Sequence, residues 1–161
     1  MEYRPEQPPA ETGPILGAVA LGLALGLLWE LLMVQSNWRL GFRPPVWEVV
    51  VGWLGFSAFI SFVLSVFAFA AGAIYSTNVV ARNPESWDAR ESMFRVRRRV
   101  AAFVIGSGGL AAFGGVVMWG ASRMGPEFDT YRGFARFTAF MGAAAAVGAY
   151  MYLKRALDSP A

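Results

Sequence analysis

Neither cysteine nor histidine occurs among the 161 residues. Without cysteine the chain forms no disulfide, no thiolate metal site and no covalent thioether haem. Without histidine it lacks the usual axial ligand of haem, the commonest zinc ligand and the commonest general base. Charge is scarce as well: charged residues make up 16% against 56% hydrophobic ones, and the mean hydropathy is +0.44. That balance belongs to a polytopic membrane protein, not to a soluble domain of this length. The expectation is a chain that binds no cofactor by itself and meets membrane lipid, with any redox chemistry carried by other subunits.

What the chain has in quantity is apolar helix. Four stretches, residues 14–36, 46–75, 100–122 and 134–153, are each long enough to cross about 30 Å of hydrocarbon at 1.5 Å per residue. They predict an all-α membrane protein with four transmembrane helices in a compact bundle. Residues 37–45 and 123–133 then form outer loops, and 76–99 form a basic connector. The ends are a proline-rich, acidic tail at 1–13, expected to be flexible, and a short C-terminal tail at 154–161. A secretory signal needs a basic start and a shorter apolar run, so the first span is expected to be retained.

The basic residues give orientation. Arg4, Arg82, Arg90, Arg95, Arg97, Arg98, Arg99, Lys154 and Arg155 fall on one side, nine of the 14. Arg39, Arg43, Arg123, Arg132 and Arg136 fall on the other. The positive-inside rule therefore places both termini and the middle connector in the cytoplasm, and the expected home is a bacterial cytoplasmic membrane. The net charge of +3 and pI near 9.7 are read as topology signals, with no nucleic acid as a partner.

The connectors carry aromatic and basic residues at headgroup level. Trp38 and Trp47 flank the Pro44-Pro45 break and read as interfacial anchors. In the basic connector, Asn83-Pro84-Glu85 reads as a helix start: cap, proline at the first helical position, then an acid near the positive end of the dipole. The third helix is thus expected to begin before the membrane. Trp87, Arg95, Arg97, Arg98 and Arg99 on that projecting segment are candidates for contact with lipid headgroups or a partner protein. Ala81-Arg82-Asn83-Pro84-Glu85 resembles the polar loop of rotary ATP synthase c subunits. Those subunits require an ion-binding carboxylate in the following helix, and residues 100–122 hold no acid, so nothing is carried over.

Small residues mark the helix faces. Ser57, Ser61, Ser65, Ala68, Gly72 and Ser76 recur at steps of three or four on the second span, opposite Phe59, Phe62, Val66 and Phe69. With Gly22 and Gly26 on the first span, Gly109 on the third and Gly142 on the fourth, they are expected to be packing positions that let backbones approach.

One acid lies inside a span. Glu30 shares a face with Gly22 and Gly26, and it lies roughly 9 Å inward from Ser36 at helical rise. An intramembrane charge on an insertion scale costs about 2.5–3.5 kcal/mol, so a partner is expected. Arg136, near the outer end of the fourth span, is the expected partner in an ion pair with Glu30, with Arg132 or Arg39 as substitutes. The alternative is that Glu30 binds a proton or cation in transport. The remaining acids, Glu85, Asp88, Glu91, Glu127 and Asp129, show no spacing with a base or nucleophile that defines a reaction. No catalytic residue is assigned. The function expected is that of a cofactor-free accessory or structural subunit, bound to other integral membrane subunits or to itself, with an energy-transducing complex as one home. The alternative is a small oligomeric transporter or channel using Glu30.

Overall fold

The computed structural model describes residues 12–82, 87–123 and 131–158. They form four helices: α1 (Thr12–Arg39), α2 (Val46–Arg82), α3 (Trp87–Ala121) and α4 (Arg132–Asp158). Each contains a segment long and apolar enough to cross a bilayer. The Asn83-Pro84-Glu85 helix start, the N-terminal tail through Glu11 and the acids Glu127 and Asp129 lie outside the described residues, as does the side chain of Trp87.

All four helices outrun the apolar stretches that announce them. Asn37, Trp38 and Arg39, expected in a loop, form the last turn of α1, which is closed by Gly41 at φ 80°. The Phe42 amide donates to the Asn37 carbonyl at 2.9 Å and the Gly41 amide to the Trp38 carbonyl at 3.1 Å. This Schellman arrangement satisfies two end carbonyls and requires the left-handed residue that glycine supplies most cheaply. Pro44 and Pro45 prevent the helix from resuming sooner. The Pro45 carbonyl then accepts from the amides of Glu48 and Val49 at 3.0 and 3.3 Å, opening α2 with Glu48 at the positive end of its dipole. At the other end, α2 and α3 continue into polar sequence, and α4 continues through Lys154 and Arg155. Lysine and arginine are good helix formers whose stems reach toward water, so polarity alone does not stop a helix.

Consecutive helices run antiparallel. Gly22 and Gly26 of α1 meet Ser61 and Ser57 of α2; Gly72 of α2 meets Val100 of α3; Gly115 of α3 meets Ala135 and Ala139 of α4. The helix α3 is the shared wall. It packs on the other three, and 56% of its apolar window is buried against 17% for α4. α1 rests on α2 and α3 without touching α4, and α4 lies on α3 with a narrow contact to α2. Close approach depends on missing side chains: a Cβ at Gly115 would lie 2.6 Å from the Ala139 amide nitrogen, and one at Gly142 the same distance from that of Ala112. Such seams gain dispersion contacts, which lipid does not otherwise supply between helices.

Candidate functional site around Glu30

The buried row of α1 is Ala18, Gly22, Gly26 and Glu30, four residues at steps of four. That spacing keeps them on one slowly drifting stripe of the helix. Two glycines bring α2 so close that a Cβ at Gly26 would lie 2.7 Å from the Ser57 amide nitrogen. Trp53 reinforces the seam by donating its indole N–H to the Leu23 carbonyl at 2.9 Å, and Trp29 meets Phe56 with ring centroids 5.5 Å apart.

One turn beyond Gly26, Glu30 is 8% exposed and lies over Gly52 of α2. A Cβ at position 52 would fall 2.7–2.8 Å from the carboxylate atoms, so the absence of a side chain at Gly52 makes the space that Glu30 fills. Among the described residues this carboxylate makes no ion pair and no hydrogen bond.

The expected Glu30–Arg136 ion pair is therefore corrected. Arg136 places its guanidinium carbon 5.3 Å from the centroid of the Trp119 ring, to which Arg123 also approaches, at 5.0 Å. Both belong to the α3–α4 contact, whereas Glu30 belongs to the α1–α2 seam, and α1 does not reach α4. Equal depth in a bundle does not make two helices neighbours. The substitute partners fail for the same carboxylate: Arg132 donates to the Ser122 carbonyl at 3.0 Å, and Arg39 ends α1 as an exposed residue.

The serine row of α2 is fully or nearly buried, and it changes neighbours along its length. Ser57 and Ser61 face α1, and their hydroxyls have no hydrogen-bond partner. Ser65 shares a 2.6 Å hydrogen bond with Ser107 of α3; one hydroxyl donates to the other, which in turn donates to a carbonyl of its own helix, that of Ser61 for Ser65 or of Phe103 for Ser107. Ser76 donates to the Gly72 carbonyl at 2.8 Å and accepts from Arg97 Nε at 3.1 Å. The polar groups thus run from Glu30 past Ser57 and Ser61 to Ser65 and Ser107, and reappear at Ser76 and Arg97. On the opposite arc, Phe59 and Phe62 meet Phe134 and Phe137 of α4 at 5.5 and 5.7 Å.

Gly109 needs a second correction. It is exposed, with open space where its side chain would be. The seams are made instead by Gly106 against Ile15 and Ala18, Gly108 against Gly142 and Ala146, and Gly114 against Leu54 and Ala58. Of the basic candidates, Arg95 pairs with Glu91 at 2.7 Å and Arg97 bonds Ser76. Arg98 is half-buried and Arg99 exposed. Trp38 and Trp47 are exposed on the helix turns that flank the first connection. Sequence reasoning missed Trp53, which stands four residues before Ser57 on the serine row but is too large to register as part of a small face. It also missed Gly52, which stands off that row.

The fold defines an all-helical chain with four helices long and apolar enough to span a membrane. Compared with family models, with curated proteins and with solved structures, it matches none.

Proposed function

We propose that this chain is an accessory or structural subunit of a larger membrane assembly, spanning the bilayer four times with both termini in the cytoplasm. The observation that carries the reading is the state of Glu30. A carboxylate withdrawn from water at the α1–α2 seam, with no cation or hydrogen-bond donor among the described residues, points to compensation from outside the chain. A neighbouring subunit supplies it most simply, because α1 lies at the rim of the bundle with most of its apolar side chains exposed. The excess of arginine and lysine around the termini and the middle connector supports the orientation.

The same carboxylate favours a second reading, a small oligomeric transporter or channel. Glu30 is followed across the bundle by Ser57, Ser61, Ser65 and Ser107, and two of those hydroxyls are unpartnered. A proton or cation would then be the compensating group.

Isolation from native membranes in mild detergent separates the two. Retention of other integral subunits, weakened in Glu30→Gln, supports the assembly reading. A homo-oligomer that conducts ions in vesicles, with flux abolished in Glu30→Gln, overturns it in favour of transport.

A further inference from the structure

Phe59–Phe134 and Phe62–Phe137 hold α2 and α4 together toward the end of the bundle that carries Arg132. Past Phe62, toward the end that carries Thr12 and Asp158, a groove of about 1080 Å³ lies between these two helices, with α3 as its floor. Gly72 lets Val100 seat against α2 there, and Val104 and Ala101 continue the floor. The walls are apolar, from Phe62 and Met141 at the deep end to Ala145 and Ala149 along α4. Ser65 also lines the deep end, where its hydroxyl is bonded to Ser107, and the other polar groups, Ser76, Thr77, Arg97 and Tyr152, stand at the opposite end.

Among the described residues, Arg97 is the only charged one lining the groove. Its Nε is held by Ser76, which is itself fixed to the Gly72 carbonyl, so the guanidinium is oriented from behind. The two Nη groups have no partner among the described residues. A guanidinium fork presented this way matches the oxygen spacing of a phosphate.

The dimensions fit one class of molecule. From Phe62 to Ser76 the groove follows α2 for roughly 21 Å at helical rise, which is one leaflet of about 15 Å plus the reach to the headgroup. Arg97 comes just before the uncharged run that begins at Val100, the level at which a headgroup meets hydrocarbon. Acyl chains are thin enough to lie along its apolar walls.

We propose that this groove is a binding site for an anionic phospholipid, its acyl chain along the α2–α4 walls and its phosphate on the guanidinium of Arg97. The site is independent of Glu30, so it stands whichever reading of that residue holds.

The test uses the full chain in detergent, stripped of lipid and titrated with phosphatidylglycerol or phosphatidylcholine, with bound lipid counted by native mass spectrometry. Phosphatidylglycerol is expected to bind at least tenfold more tightly than phosphatidylcholine. Arg97→Gln should remove that preference, and Ala145→Phe, which fills the groove, should remove binding of both. Arg95→Gln, whose side chain pairs with Glu91 outside the groove, should change neither. Because Arg97 is exposed and Ser76 keeps its bond to Gly72, the Arg97→Gln chain should remain folded, and its melting temperature checks this. Equal binding of the two lipids, or an unchanged preference in Arg97→Gln, overturns the proposal. The absence of cysteine permits a second check with Ala145→Cys: disulfide-linked dimers formed in membranes would show a second copy in the groove and would also overturn it.

Discussion

Glu30 and Gly52 form a knob and its socket across the α1–α2 seam: the carboxylate occupies the space where a side chain at position 52 would begin. The two positions are therefore coupled, although they are bound by no hydrogen bond or charge. Glu30 stays out of water because Gly52 yields the room, and the seam closes one turn away through Gly26 and Ser57.

This coupling is measurable. Gly52→Ala should destabilise the bundle, since a methyl within 3 Å of three carboxylate atoms forces Glu30 to move. The same substitution in a Glu30→Ala background should cost less, giving an interaction energy of about 0.5–3 kcal/mol in a double-mutant cycle followed by denaturant unfolding in micelles. Additive effects would mean that Glu30 has another resting place.

Arg136 should show its energetic link to Trp119 and none to Glu30. Arg136→Ala is expected to cost about 0.5–2 kcal/mol as the cation over the ring is lost. That loss should shrink in a Trp119→Leu chain. Paired with Glu30→Gln, it should add within about 0.3–0.5 kcal/mol, the behaviour of sites that share no contact.

Glycines on the same helix should sort by what faces them. Gly115→Ala drives a methyl into the α4 backbone at Ala135 and Ala139, and should cost about 1–3 kcal/mol by overpacking. Gly109→Ala meets open space and should be neutral or stabilising by up to about 1 kcal/mol through helix propensity. Thermal unfolding of the two variants side by side makes the comparison.

The Ser65–Ser107 hydrogen bond should contribute modestly. Each hydroxyl also has a carbonyl of its own helix to bond, so Ser65→Ala, Ser107→Ala and the double variant should report a coupling of about 0.6 kcal/mol, within the ceiling near 1.7 seen for such bonds in membranes.

Much of this architecture is written in spacing. Steps of four along α1 isolate Gly22, Gly26 and Glu30, which with Ala18 are the buried residues of that helix. Steps of four along α2 isolate Ser57, Ser61 and Ser65, all buried. Periodicity of this kind reports which face of a helix is turned inward and is silent about which helix it meets. Glu30 and Arg136 lie at similar depth on inward- and outward-leaning positions of the first and last helices. The central place of α3 keeps those helices apart, and no local pattern records that placement. The third helix also has glycines on several faces, so Gly108 and Gly109 look equivalent in sequence while one touches α4 and the other faces open space. The α2–α4 groove was illegible for a related reason: it is a gap created where two aromatic contacts end, and gaps belong to pairs of helices.

The role of α3 as shared wall has a consequence for how the chain is assembled as it leaves the ribosome, amino end first. Once α1 and α2 have emerged, their hairpin already holds its own fastenings: the tight turn at Gly41, the Trp53 bond to Leu23 and the glycine–serine contacts. Ser65 still has no Ser107, and Gly72 has no Val100. The arrival of α3 completes those joints and prepares a bed for α4 at Gly108 and Gly115. The last helix is thus the last to be committed, and it is held chiefly by α3. A truncated chain ending after α3 should keep the first three helices together, whereas one ending after α2 should keep a hairpin with an open polar side.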